Sequence, residues 1–590
     1  MIASRPKIHL KGERQSSLEQ ARSRLGFLTV FFVFSYAIVV ARAADLGILQ
    51  GELQADAPVV SYIAPAAGSS EIGRNDILDR NGVILARTLQ TVSVYADPAL
   101  VVDAAETAKK LVKIFPDVTY GALLKKLQSK KRFVWVSRNI SPDQHEEVLE
   151  LGHPAVAFER EEKRVYPQGA MAAHLVGVSG IDGQGLLGVE RSFNKYLSDI
   201  ESEPLSLTID VRVQHSLQRE INKAIDKHNA KGGAGIVMDV ETGEILAAAS
   251  LPDFDPNNYK VAKDNQKFNR VSLGVYELGS TFKIFSTAAY LEQNQNAISK
   301  RFDTRQPLEI GRFKIRDYHP EKRKLTLPEV FMHSSNIGSA LMGQGVGSDY
   351  IQSFYKDLGL MDKPDVEISE LGRPIIPSPW REVNTLTASY GHGIAVSPLQ
   401  LVQGVSSVVN GGFALQPTIV QRTDGQADQK NNTEKNASRQ DVRIVSPQTS
   451  HRIRQLMRLV VTEGTGSKAD VSGFMVGGKT GTAEKPGSGG YNRKRLISSF
   501  VGVFPMNAPR YAVFVMVDEP EGIKETYGYA TGGWVAAPAV SGVISSMVSI
   551  MGLKPQETTK RFEQSLLRFV KTKEQLEREK QLKEKDFADH

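Results

Sequence analysis

Val275-Tyr276-Glu277-Leu278-Gly279-Ser280-Thr281-Phe282-Lys283 sets a serine and a lysine three positions apart. If a helix begins near Gly279, the two side chains share one face and the Lys283 amine can touch the Ser280 hydroxyl. A serine hydroxyl is a poor nucleophile near neutral pH and needs a neighbour that takes its proton, which a lysine of lowered pKa can do. The helix N-terminus also favours developing negative charge. A Ser-x-x-Lys tetrapeptide arises by chance in many helices, so the weight falls on its company. Ser334-Ser335-Asn336 and then Lys479-Thr480-Gly481-Thr482 follow in that order.

The ordered set resembles the penicillin-binding proteins and serine β-lactamases. The resemblance implies a serine β-lactamase-like domain, a mainly antiparallel sheet covered by helices, within an α/β multidomain chain. It also implies roles. Ser280 attacks the carbonyl of the penultimate D-alanine of a peptidoglycan stem peptide, and Lys283 takes its proton. Ser334 passes a proton to the departing D-alanine, and Asn336 holds the substrate backbone and orients Lys283. Lys479 supplies positive charge for the substrate carboxylate, Thr480 and Thr482 offer it hydroxyls, and Gly481 belongs to the same substrate-binding strand. The N–H groups of Ser280 and Thr482 are expected to form the oxyanion hole. No cofactor or metal is implied; β-lactam antibiotics are expected as covalent ligands.

Around this centre the chain shows strand patterns. Gly235 to Val240, Glu241-Thr242-Gly243 and Glu244 to Ala249 read as a hairpin whose apolar strands suit a sheet covered on both faces. Phe474 to Gly478, Ile497 to Val503 and Tyr511 to Val517 read as further strands. Gly473 to Thr480 also satisfies the phosphate-loop pattern, but such a loop must open a helix, and Gly481, Pro486 and Gly487 follow closely. A metallohydrolase is disfavoured because His333, His392 and the other histidines form no ligand-spaced pair, and His333 is read as a packing residue. Ser389 to Gln400 and Gly532 to Pro538 add family-like pieces, whereas Leu278 stands where many relatives have proline.

Upstream, residues 55–205 alternate short β-like runs (Val92 to Tyr95, Phe133 to Val136) with charged helical stretches such as Ala104 to Phe115. Asn81-Gly82 between apolar runs is a hairpin signal. With Arg164-Val165-Tyr166-Pro167, Gly169, His174 and Gly188-Val189-Glu190, this α+β module resembles the pedestal, or dimerisation-type domain, of class B penicillin-binding proteins. Arg74-Asn75 departs from the family's usual Arg-Gly. The module's charged residues are read as salt bridges to the catalytic domain, which is taken as 206–555.

Further out, residues 1–24 are polar and basic and precede an uncharged apolar run from Leu25 to Ala41. About 17 residues just span a bilayer. An anchor over 25–45 with a cytoplasmic N-terminus follows from the flanking positives, with a cleaved signal peptide as the rival reading. The catalytic part is then exported: an inner-membrane protein with a periplasmic domain. Residues 422–441 lack large apolar side chains and read as a disordered insertion, and the charged tail 556–590 reads as a solvated helix.

The 590 residues allow several domains, and net charge +7 gives no argument for nucleic acid. There is no cysteine, so thiol nucleophiles and disulfides are excluded. Asn336 resembles the division-specific branch of the family, whereas the elongation branch commonly has aspartate there. That branch implies septal cross-linking beside a membrane-embedded glycosyltransferase and other divisome proteins, because no glycosyltransferase domain is visible here. A β-lactamase or β-lactam sensor, and a non-catalytic divisome scaffold, are the competing classes.

Overall fold

Asn81-Gly82 makes the turn its dipeptide predicts, joining β1 (Ile77–Leu78) to β2 (Ile84–Ala96) in an antiparallel hairpin. Asp79 Oδ1 stabilises it by accepting from the N–H groups of Asn81 at 2.7 Å and Val83 at 2.8 Å. These features come from a computed structural model that describes residues 73–199, 201–311, 313–421, 442–487, 490–556 and 561–571, with 26, 32–33, 35–37 and 575. The chain divides into two units, 1–70 and 71–590, and every element below belongs to the second. Most of the expected anchor, the whole insertion 422–441 and nearly all of the chain beyond 571 lie outside the described residues. No helix among the described residues is long and apolar enough to cross a membrane.

In the pedestal, β2 also pairs antiparallel with β3 (Val134–Ile140) and β4 (Val156–Val165). Helices α1 (Ala104–Ile114) and α2 (Tyr120–Leu127) lay Ala108, Leu111 and Leu123 on Val94 and Val136 of this sheet. β5 (Leu205–Ser206) returns parallel to β1 and delivers the chain to the catalytic domain. The expected salt bridges are mostly internal to the pedestal: buried Glu190 sits between Arg74 at 2.5 Å and Arg164 at 2.7 Å. Arg80 reaches across to Glu244 at 3.3 Å, and the Val211 N–H donates to Asp79 at 3.2 Å. Asn75, where the family usually has glycine, donates from its amide to the carbonyls of Asp199 and Ser202.

The catalytic domain is built on β6 (Gly232–Asp239), β7 (Ile245–Leu251), β8 (Gly477–Gly487), β9 (Gly490–Phe504) and β10 (Tyr511–Asp518). They form an antiparallel sheet in the order β8-β9-β10-β6-β7. β6 and β10 are buried along their whole length, and alternate residues feed two cores. Helix α3 (Val211–Lys227) puts Val213 and Leu217 on Val237, Val513 and Val515. On the other face Ile236, Met238 and Phe514 meet Phe285 of α4 (Lys283–Gln293). Burying each such side chain stabilises the fold by roughly 1.5–3 kcal/mol relative to exposure, which is why these strands read as continuous apolar runs.

Two expectations need correction. The strand expected over Phe474 to Gly478 begins only at Gly477 and runs on through Gly481 and Pro486. These turn-forming residues are tolerated because β8 is an edge strand, with no strand paired on its outer side among the described residues. The tail is not solvated from Gln556 onward. Leu566, in the short helix Gln564–Leu567, is fully buried, and Phe562 packs against the same core. Thr326 donates to the Phe569 carbonyl at 2.7 Å, and the Lys571 N–H donates to Glu329 at 3.0 Å. The abundance of charge concealed an apolar pair at helical spacing, Phe562 and Leu566.

Candidate active site

Ser280 sits in a 3-10 turn, Gly279–Phe282, and the α-helix proper starts at Lys283. The spacing still works: Lys283 Nζ lies 3.0 Å from Ser280 Oγ. The turn is pressed against the edge of β8. A Cβ on Gly279, whose φ is 55°, would come within 2.8 Å of the Thr482 carbonyl oxygen, and one on Gly481 within 2.6 Å of the Leu278 carbonyl oxygen. Only bare backbone allows this approach.

The second motif is positioned by α5 (Leu327–Met332) and α6 (Asn336–Val346). Ser335, not Ser334, caps α6, its Oγ accepting from the Gly338 N–H at 3.0 Å. The Ser335 hydroxyl also donates to Asp317 at 2.7 Å, and the second oxygen of that carboxylate takes the Ile337 N–H at 2.9 Å. Ser334 is left in the left-handed region with φ of 61°, a conformation costing about 1–3 kcal/mol for a non-glycine residue. Its Oγ thereby lies between two amines, 3.1 Å from Lys283 Nζ and 2.9 Å from Lys479 Nζ.

Both lysines are fully buried. Burial first, then the charge of Lys479, holds Lys283 well below the usual lysine range, with Asp317 pulling the other way. Burial lowers Lys479 to about 7. The partners of Lys283 fit a neutral amine. A neutral amine gives its two N–H groups to the Ser334 carbonyl at 2.5 Å and Asn336 Oδ1 at 2.7 Å and keeps its lone pair for a hydroxyl, with those of Ser280 and Ser334 at 3.0 and 3.1 Å. Asn336 is held in that orientation because its Nδ2 donates to the Arg316 carbonyl at 3.0 Å. Lys479 lies over the Phe331 ring at 5.9 Å, which favours its cationic form.

Along β8, the Thr482 hydroxyl accepts from the Gly532 N–H at 3.1 Å, and the Thr480 and Thr465 hydroxyls lie 2.8 Å apart. The structure therefore brings Ser280, Lys283, Ser334, Asn336, Lys479, Thr480, Gly481 and Thr482 into one site. Lys479-Thr480 lies in a strand rather than opening a helix, which removes the phosphate-loop reading. His333 Nδ1 is 3.4 Å from Glu321 and packs beside the site rather than in it.

Several neighbours carried no sequence signal of their own: Asp317, Phe331, Thr465 and a group on the rim. There the Tyr491 hydroxyl donates to Glu277 at 2.9 Å, and His392 Nδ1 lies 3.2 Å from the other Glu277 oxygen. Burial, reinforced by Glu277, raises the pKa of Tyr491. Only the position of Glu277 beside the Ser-x-x-Lys turn hinted at this group.

Residues 233–544 match the penicillin binding protein transpeptidase domain, and residues 70–203 match the penicillin-binding protein dimerisation domain. The chain is 40% identical to the probable peptidoglycan D,D-transpeptidase FtsI of Caulobacter vibrioides, over 82% of each chain. It is 28% identical to peptidoglycan D,D-transpeptidase FtsI of Escherichia coli, covering 82% of this chain and 85% of that one. In fold it is similar to penicillin binding protein 3 of Mycobacterium tuberculosis, solved in complex with aztreonam. The TM-score is 0.63 at 23% identity, with 82% of this chain and 97% of that one covered.

Proposed function

This chain belongs to the division-type class B penicillin-binding proteins, and on that premise we propose that it is a peptidoglycan D,D-transpeptidase acting through an acyl-enzyme on Ser280. The observation that carries the mechanism is the Ser334 hydroxyl held between the two buried amines, with the nucleophile 3.0 Å from the nearer one. Neutral Lys283 takes the Ser280 proton as Oγ attacks the penultimate D-alanine carbonyl of a stem peptide. Lys283 and Ser334 then return a proton to the departing D-alanine amine as the peptide bond breaks. The Ser280 and Thr482 N–H groups face the developing oxyanion, a contribution of roughly 3 kcal/mol per donor in comparable hydrolases. Cationic Lys479, with the Thr480 and Thr482 hydroxyls, binds the terminal carboxylate, and the free edge of β8 receives the substrate backbone beside Gly481. A β-lactam presents a similar carboxylate and carbonyl and is trapped as the ester.

The same reading extends to the setting. Residues 25–45 anchor the chain in the inner membrane with residues 1–24 in the cytoplasm. The pedestal, 55–205, carries the catalytic domain, 206–555, to the septal wall. Glycan polymerisation falls to a membrane glycosyltransferase working with it among other division proteins. The apolar run Leu25 to Ala41 and the similarity to the FtsI proteins support this part.

The test is covalent labelling of the full-length protein with a fluorescent penicillin, wild type beside Ser280→Ala, with the label followed over hours. A long-lived adduct on the wild type, absent from the variant, is expected. Loss of label within seconds would identify a β-lactamase, and no label on folded wild type would remove the catalytic assignment.

A further inference from the structure

The transpeptidation chemistry above leaves one proton without a taker. The acceptor for the acyl-enzyme is a primary amine, which is an ammonium ion near neutral pH and has no lone pair for attack. Lys283 and Ser334 serve the Ser280 hydroxyl and the leaving group, and Lys283 is fully buried.

Next to the loop that packs on the catalytic turn is a histidine with the bearing of a base. Gly391 is packed against the catalytic turn: a Cβ on it would stand 2.1 Å from the Gly279 carbonyl oxygen and 2.9 Å from Gly279 Cα. Paired backbone bonds between Tyr276 and Val396, at 2.9 and 3.0 Å, fasten this loop along the segment leading to Ser280. His392 follows Gly391 directly, and its side chain is 41% exposed. Its Nδ1 faces Glu277 at 3.2 Å, an ion-pair distance, while that carboxylate oxygen is buried and receives no hydrogen bond of regular geometry. The other Glu277 oxygen is fixed by the Tyr491 hydroxyl. The imidazole is flanked by Tyr390, ring centroids 6.1 Å apart, and by Tyr491, at 4.3 Å. Glu277, Tyr390 and Tyr491 are the titratable side chains that face it among the described residues. The Glu277 charge beside Nδ1 favours the tautomer with the ring proton on that nitrogen and the lone pair on Nε2, which has no partner among the described residues.

We infer that His392, oriented by Glu277 and Tyr491, is the general base for the second half of the reaction and forms the site for the acceptor's primary ammonium group. The inference rests on the transpeptidase reading. Nε2 takes one proton from the ammonium, and the Glu277 carboxylate lies 3.2 Å from Nδ1 of the resulting imidazolium. The freed amine lone pair forms the C–N bond at the ester carbonyl of acyl-Ser280. As the C–Oγ bond breaks, the second amine proton travels through Ser334 and Lys283 to Ser280 Oγ. The amide product and free serine result, and the imidazolium returns its proton to water. Water needs no such site, so hydrolysis of the acyl-enzyme is far less dependent on His392.

The test uses the full chain with a D-alanyl thioester donor and D-alanine as the amine acceptor, measuring aminolysis and hydrolysis products together. Penicillin acylation is followed in the same preparations and reports only the first half-reaction. His392→Gln is expected to lower the aminolysis-to-hydrolysis ratio at pH 7 at least tenfold, within the range of general-base contributions. The ratio should recover towards pH 9.5, where the acceptor amine is free without help. Tyr491→Phe, which keeps the ring and removes the hydroxyl on Glu277, should lower the ratio less. An unchanged ratio in His392→Gln would overturn the proposal, as would a parallel loss of acylation and aminolysis with no recovery at high pH. A wild type that takes no penicillin would instead overturn the transpeptidase reading itself.

Discussion

Glu190 in the pedestal and the Lys283–Lys479 pair in the catalytic domain are both buried charge clusters, yet they are composed by opposite rules. Glu190 is fully buried and answered on both sides, by Arg74 and Arg164, with the Tyr166 hydroxyl adding a further contact at 3.3 Å. Lys283 and Lys479 are equally buried, but each finds another amine's neighbourhood and a shared serine hydroxyl, and neither is in salt-bridge contact with a carboxylate among the described residues. Compensated charge fixes geometry, because removing a partner strands the others in low dielectric. Uncompensated like charge forces a proton off, and a neutral lysine next to a serine is a base. The first cluster should therefore matter to stability and the second to chemistry.

Substitutions can separate the two. Lys283→Met keeps the volume and removes the base, so penicillin acylation should fall by roughly 10³-fold or more. Its thermal midpoint should stay at or above that of wild type, because a desolvated amine has been replaced by an apolar chain. Stopped-flow acylation and calorimetry on the same sample check both halves. A variant that unfolds would show that Lys283 is structural after all. Glu190→Gln is the converse. It leaves two buried guanidinium groups without a countercharge and should cost about 3–5 kcal/mol in denaturant unfolding. The acylation rate of the molecules that remain folded should equal that of wild type. A stable Glu190→Gln with impaired acylation would mean that the pedestal acts on the site.

That difference also explains what could be read in advance. Ser280, Lys283, Ser334, Asn336 and Lys479 lie in short motifs whose spacing encodes the contact, and all of them meet in the structure. The hairpin at Asn81-Gly82 and the strands of β6, β7 and β10 were legible for a similar reason, since turn chemistry and apolar runs are local. Glu277, His392 and Tyr491 come from three separate segments and carry no joint pattern, so only the fold brings them together. β8 was misplaced because Gly481 and Pro486 look like turn residues until the edge position of the strand is known. The tail was misjudged because composition weighs charges equally, whereas docking depends on where Phe562 and Leu566 fall.

The smallest effect tests the division of labour inside the like-charged pair. Burial lowers Lys479 to about 7, and its charge is among the causes that hold Lys283 well below the usual lysine range. Acylation needs neutral Lys283 beside cationic Lys479. The second-order acylation constant, which reports the free enzyme, should then be bell-shaped. It should fall on the acid side as Lys283 gains a proton. Above about 7 it should fall towards tenfold per pH unit as Lys479 loses its own. Stability runs differently. Lys479 is depressed in the folded state, so from about 7 up to its unfolded value the unfolded chain binds more protons, and stability contributed by this group rises with pH. Activity and stability should thus move in opposite directions above neutrality. Lys479→Arg, whose guanidinium stays charged throughout, should abolish the alkaline limb of acylation while keeping the acid limb, whatever its absolute rate. If the alkaline limb persisted, the carboxylate-binding cation would have to be sought elsewhere, and the acid limb alone would belong to this pair.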